Sequence, residues 1–150
     1  MSNWIGANGT VESGYGVASG QAQDPRFPQG TLALQWPIFE QQSLDLSPYF
    51  LGTINLSIAP RRYQINQAKY TLRAIKWSPT EPAEDFSFFD CRLGVGSTWF
   101  EGLVYYPHPE TKPAHFQPPT TLEIVTSWIS GLQYGDSLRL ELKAEQISLI

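Results

Sequence analysis

The sequence predicts a mainly β domain, built from short strands joined by many turns and folded as a barrel or a sandwich. Three observations carry this expectation. Seven or so segments alternate apolar and polar residues or are rich in aromatics, and turn residues separate them. Gly and Pro number 12 each in 150 residues, which favours turn-rich architecture over helix bundles. The clearest segment, Leu138-Arg139-Leu140-Glu141-Leu142, has the strict period of two that puts three leucines on one face. A chain of this length can bury a core without disulfides or a structural metal, so residues 1–150 read as a single domain.

Residues 1–9 read as a loose lead-in to a short strand, Thr10 to Ser13. A glycine-rich loop follows (Gly14, Gly16, Gly20), and residues 21–30, with two prolines and no periodicity, continue it as an extended loop. Leu32, Leu34 and Trp36 alternate, so residues 31–36 are expected as a strand that Pro37 ends. Phe39 to Leu46 suits one or two helical turns stopped by Ser47-Pro48. Thr53 to Ile58 alternates again and Pro60 breaks it. Further strands are expected at 70–77, 86–93, 99–106, 122–126 and 138–142, with turns at 78–85, 94–96 and 133–137. Residues 128–132 suggest a helical turn, and 144–150 a last strand.

Composition narrows the function. The net charge is −4 and the one basic run is Arg61-Arg62, which argues against a nucleic-acid partner because many phosphates need a positive stripe. A small anionic ligand stays open, since backbone N–H groups bind phosphate without net positive charge. The single cysteine, Cys91, forms no internal disulfide, and no Cys/His zinc spacing exists. No basic segment leading into an apolar one opens the chain and no apolar run is long enough to span a membrane, so the expected location is cytoplasmic with no membrane partner.

Four features have chemical potential, and each has an ordinary structural reading beside it. The glycines at 14, 16 and 20 allow close backbone approach to a ligand, or serve as a turn. Thr53 and Asn55 are two apart and share one face of a strand; a hydroxyl beside an amide carbonyl suits a hard cation such as Mg²⁺, or a plain polar face. Gly135-Asp136 suits a tight turn before the last regular strand. His115, Glu123, Asp90 and Glu101 are the remaining titratable candidates; each also suits a solvated position, as His108 does between two prolines. Cys91 reads as a half-buried strand residue, and spacing alone supports no Ser-His-Asp or Cys-His arrangement. Trp99 and Phe100 could stack on a flat ring.

Taken in order, these segments carry a resemblance. The chain reads Gly9-Thr10-Val11-Glu12-Ser13-Gly14-Tyr15-Gly16, then Pro48-Tyr49-Phe50-Leu51-Gly52-Thr53-Ile54-Asn55-Leu56, then His115-Phe116-Gln117-Pro118, Leu122-Glu123-Ile124-Val125 and Gly135-Asp136-Ser137-Leu138. Over about residues 9–142 this resembles the CTP-dependent riboflavin kinases of archaea. The resemblance implies a six-stranded cradle-loop barrel with one or two short helices. It implies transfer of the γ-phosphate of CTP, or another nucleoside triphosphate, to riboflavin with Mg²⁺. It further implies that Thr53 and Asn55 hold the metal and phosphates, that Gly14, Tyr15, Gly16, Gly52 and His115 contact the nucleotide, and that Glu123 is the best-aligned catalytic base. The chain departs from the pattern in three places. Val17-Ala18-Ser19-Gly20 replaces a basic or aromatic segment, one extra residue precedes Gly52, and Trp128-Ile129-Ser130 stands where the family has a helix with an Arg. Lys112, Arg92 and Arg73 are then the candidate cations. The alternatives are a non-catalytic nucleotide- or flavin-binding module on the same barrel, and an interaction protein without a ligand.

Overall fold

A computed structural model describes residues 3–12, 31–80, 82–111 and 118–150. The glycine-rich loop, with Gly14, Tyr15 and Gly16, lies outside these residues, as do Lys112 and His115. The described elements are β1 (Trp4–Glu12), α1 (Thr31–Gln41), β2 (Ile54–Ser57), β3 (Tyr63–Ile65), β4 (Tyr70–Ile75), β5 (Glu84–Val95), β6 (Thr98–Pro107), β7 (Thr121–Thr126), β8 (Ser137–Lys143) and β9 (Ile147–Leu149).

Six of the strands close into an antiparallel barrel in the order β5-β6-β7-β2-β1-β8, with β8 pairing back onto β5. The twelve-residue β5 serves two neighbours on one edge. Its first half pairs β4, from Tyr70↔Phe88 to Ile75↔Glu84, and its second half pairs β8, from Cys91↔Leu142 to Gly94↔Arg139. β6 runs beside β5 throughout, from Phe86↔Pro107 to Val95↔Thr98. The pairing scheme has a two-fold regularity: exchanging β1 with β6, β2 with β7 and β5 with β8 leaves it unchanged. No repeat in the sequence announces this, because the interior asks only for apolar residues of suitable volume at alternate positions.

The period-two alternation fills the barrel. Leu138, Leu140 and Leu142 are at most 4 % exposed and pack with Val11, Leu56, Phe89, Cys91, Leu93, Val104, Leu122 and Ile124. Each such large side chain stabilises the fold by about 1.5–3 kcal/mol relative to exposure. Burial pushes the Cys91 thiol pKa well up, so it behaves as a small apolar side chain.

A second core lies outside the barrel. Residues 31–36, expected as a strand, are the first half of α1. The correction has a clear cause. Leu32, Gln35 and Phe39 are buried at helical spacing, whereas Leu34, apolar on the supposed strand face, is exposed. Pro37 lies inside the helix, where it cannot make the bond to the carbonyl of Ala33. Phe39 meets Phe86 and Phe88 edge-on, with ring centroids 5.0 and 5.4 Å away. The Tyr105 hydroxyl donates to Gln35 Oε1 at 2.6 Å, so the buried amide has a partner. The helix ends in a Schellman arrangement. Leu44 N–H donates to Phe39 C=O and Ser43 N–H to Glu40 C=O, with Ser43 at φ 72°.

Other boundaries also moved. The lead-in is part of β1, which begins at Trp4 because β8 pairs it from Trp4↔Lys143 onward. β3 was not expected; it pairs only with β9, the strand anticipated in the tail. The turn placed at 94–96 falls at Gly96-Ser97. Residues 128–132 form no helical turn. Alternation in β4 breaks at a bulge between Leu72 and Ile75, where Ala74 has φ 55° and donates its N–H to Asp85 Oδ1 at 2.8 Å.

On the outer wall Asp90 accepts from Lys69 Nζ at 2.9 Å and from Gln146 Nε2 at 2.9 Å, and lies 3.3 Å from Lys143 Nζ. Burial pushes its carboxyl pKa up, but the bonds from Lys69 and Gln146 and the charges of Lys69 and Lys143 outweigh burial. The result is a pKa below the ordinary 3.8. A carboxylate depressed in this way adds stability that is present above its unfolded pKa and lost as pH falls through the folded one. Asp90→Asn is therefore expected to flatten the loss of stability below about pH 4, read from urea midpoints along a pH series. Ser43→Gly relieves a left-handed residue and is expected to raise stability by roughly 1 kcal/mol, or about 2–4 °C in melting temperature.

Candidate functional site

One end of the barrel opens into a cavity of about 460 Å³. The ends of β1 (Val11, Glu12) and β7 (Ile124, Thr126), the start of β2 (Ile54, Asn55) and the segment between β7 and β8 line it together. This mouth exists because three strands end there and the chain between β7 and β8 bends across instead of continuing the sheet. Ile129 tucks into the inner core at 6 % exposure, with Leu132 packed against that core, and the two form the floor.

Backbone bonds set the rim. Val11 N–H donates to Asp136 C=O at 2.8 Å, and Gly135 N–H to Val11 C=O at 2.7 Å, which ties the Gly-Asp turn to the end of β1. The Asp136 carboxylate accepts from Gln133 N–H at 2.9 Å, so the turn also holds Gln133 and Tyr134 on the wall. Gly135 has φ 93°, a conformation that side-chain-bearing residues rarely adopt. On the opposite side Phe50 N–H donates to Thr126 C=O at 2.9 Å, and Thr126 Oγ1 to Glu101 C=O at 2.7 Å. Phe50 and Trp128 lie with ring centroids 4.9 Å apart.

Gly52, Thr53 and Asn55 all line the cavity. Asn55 is opposite Glu12 on β1 and Glu123 on β7, so directly paired residues place these three side chains in one row on the same side of the sheet. Glu12 lines the cavity and Glu123 does not. Glu123 is opposite Tyr105 on its other side, and after burial it is the next cause that pushes the Tyr105 hydroxyl pKa well above 10.0. The aromatic wall of Phe50, Trp128 and Tyr134 was not singled out in the sequence, although Phe50 adjoins the Gly52-Thr53 motif. Trp128 and Tyr134 are 66 % and 61 % exposed, large apolar surfaces left at the mouth. Their common signal is proximity to turns, which alternation does not detect.

The other titratable candidates are engaged away from the mouth. Asp90 sits in its outer-wall network. Arg92 pairs Glu141 at 2.6 Å and lies between the rings of Trp4 and Trp99, so Trp99 stacks on this cation outside the cavity. Arg73 pairs Asp85 at 3.2 Å. His108 Nε2 lies 2.6 Å from Ser87 Oγ, and His108 Nδ1 lies 3.1 Å from Glu110 Oε1. This Ser-His-Glu chain joins β5 to the turn after β6; Ser87 is 3 % exposed and also bonded to Thr71, which keeps its hydroxyl from a substrate.

Among the described residues no group of three His, Cys, Asp or Glu could hold a metal ion. The oxygens of Thr53 and Asn55 are instead the kind of donors that suit a hard cation shared with phosphates. Glu12 is the one charged residue among the described residues lining the cavity, which include no Lys, Arg or His. No helix of the described residues is long and apolar enough to cross a membrane. No family model matches the chain. No curated protein matches it either.

Gly135→Ala places a side chain at φ 93° in the turn that holds the rim. It is expected to lower stability by about 1–2 kcal/mol, seen as a lower urea midpoint at unchanged slope.

Proposed function

We propose that the chain is a riboflavin kinase-like phosphotransferase. It would use a nucleoside triphosphate, CTP by resemblance, and Mg²⁺ to phosphorylate riboflavin or a related small molecule. One observation carries this reading: Gly52, Thr53 and Asn55 line the same 460 Å³ cavity as the end of β1, and the Gly-Asp turn closes its rim. Segments far apart in the chain thus converge on one concave, aromatic-walled site of ordinary ligand size.

The Thr53 hydroxyl and the Asn55 carbonyl would hold the cation, which when bound supplies charge neutralisation for the transferred phosphoryl group. Phe50, Trp128 and Tyr134 offer ring faces for a planar heterocycle. Ser127 and Gln133 offer hydrogen bonds to hydroxyl groups on its side chain. Phosphoryl transfer asks chiefly for positioning, which a rigid barrel end provides.

The second reading is a non-catalytic flavin- or nucleotide-binding module on the same barrel. It is favoured by the lack of a Lys or Arg among the described residues lining the cavity. Incubation of riboflavin with CTP, ATP or GTP and Mg²⁺, with chromatographic detection of FMN, decides between them. The kinase reading expects FMN with CTP and a loss of roughly 10²-fold or more in Asn55→Ala. A protein that binds flavin yet yields no FMN with any triphosphate is the module.

A further inference from the structure

We propose that Trp128 is the specificity-determining residue of the cavity, the platform on which the flat ring system of the ligand stacks. It rests on the reading that this cavity binds a flavin-type ligand, and it assigns the ring to one of the three aromatic residues of the wall.

Three observations carry it. The first is a held backbone beneath an uncovered ring. Thr126, itself 3 % exposed, donates its hydroxyl to Glu101 C=O at 2.7 Å, and Ile129 is buried in the inner core. Trp128 lies between these two anchors, yet it is 66 % exposed, the most of any large apolar residue described. Core packing does not account for a tryptophan left in that state beside a cavity. The second is a ring partner. Phe50 lies with its centroid 4.9 Å from that of Trp128, the planes 57° apart. The Phe50 N–H donates to Thr126 C=O at 2.9 Å, so the end of β7 both holds Phe50 and leads into Trp128. The third is a link to the polar segment. Gly52 N–H donates to Phe50 C=O at 3.0 Å, and Phe50, Gly52, Thr53 and Trp128 line one cavity. An indole offers the largest π-face of the wall, and a ring on a fixed backbone has little freedom to lose when a ligand settles on it. Trp128 stands where the resembled family has a helix with an Arg, so the platform belongs to this chain and is not inherited from the resemblance.

The test is equilibrium titration of the intact chain with riboflavin and, separately, with lumiflavin, which keeps the ring system and lacks the polyol chain. Flavin fluorescence is followed, because an indole in face contact quenches the excited flavin and a phenyl ring does so far less. The wild type is expected to bind both flavins with loss of emission. Trp128→Ala should weaken both by roughly tenfold or more, the usual scale for losing one stacked ring. Trp128→Phe should bind within about threefold of the wild type while the bound flavin regains emission, a change that a merely structural role would not produce. Urea midpoints check that the variants fold; if Trp128→Ala does not, the emission of Trp128→Phe decides. Unchanged affinity in Trp128→Ala, continued quenching in Trp128→Phe, or weakening of riboflavin without lumiflavin overturns the platform and leaves the cavity as a flavin site. A wild type that binds neither flavin overturns the platform together with the reading beneath it. Failure of FMN synthesis alone, with Trp128-dependent binding intact, removes the kinase and keeps the platform.

Discussion

The pairing of β5 with β8 is the contact on which the rest of the molecule depends. Four residue pairs, Cys91↔Leu142 to Gly94↔Arg139, turn what would be an open sheet into a closed barrel. Closure removes two sheet edges and seals the leucine faces of β8 from water on every side. The seam is clamped on its outer surface. Arg92 reaches across to Glu141 and is held between two tryptophan rings, while Gln146 and Lys143 reach back to Asp90. Partly exposed ion pairs of this kind add about 1 kcal/mol or less each, so they fix the register more than they drive closure. The driving force is the apolar interior.

Closure also explains the second core. Once the inner face of the sheet is committed to the barrel, Phe86, Phe88, Leu103, Tyr105 and Val125 on the outside need a cover. α1 and the chain after it supply Leu32, Phe39, Leu44 and Leu46. β5 can be apolar on both faces over Phe86, Phe88 and Phe89 because each face has its own partner. The helix is held by tertiary packing, since it carries a proline and buries one polar amide.

The mouth is the place where closure is incomplete. Three strand ends and the β7–β8 segment leave a concave space lined by aromatic, aliphatic and polar residues together.

Several features were legible in the chain itself. Strict alternation located β8 because a half-buried strand must obey it. The strand that carries Asn55 could be placed by its alternation, although it starts at Ile54 and leaves Thr53 just outside, and the Gly-Asp turn could be placed by its residue types. Other features were not legible. Leu32, Leu34 and Trp36 satisfy a strand pattern and part of a helix pattern, and only the outer face of β5 and β6 selects the helix. β3 exists because β9 comes to meet it, and the bulge in β4 because Asp85 takes the N–H of Ala74. At Gly52-Thr53-Ile54-Asn55 the sequence by itself determined two oxygen-bearing residues, Thr53 and Asn55, at the start of a short strand, a matter of local pattern. Only the tertiary structure decided that they line a cavity beside Glu12 and a wall of three aromatic rings, because those neighbours come from separate parts of the chain and meet through barrel closure.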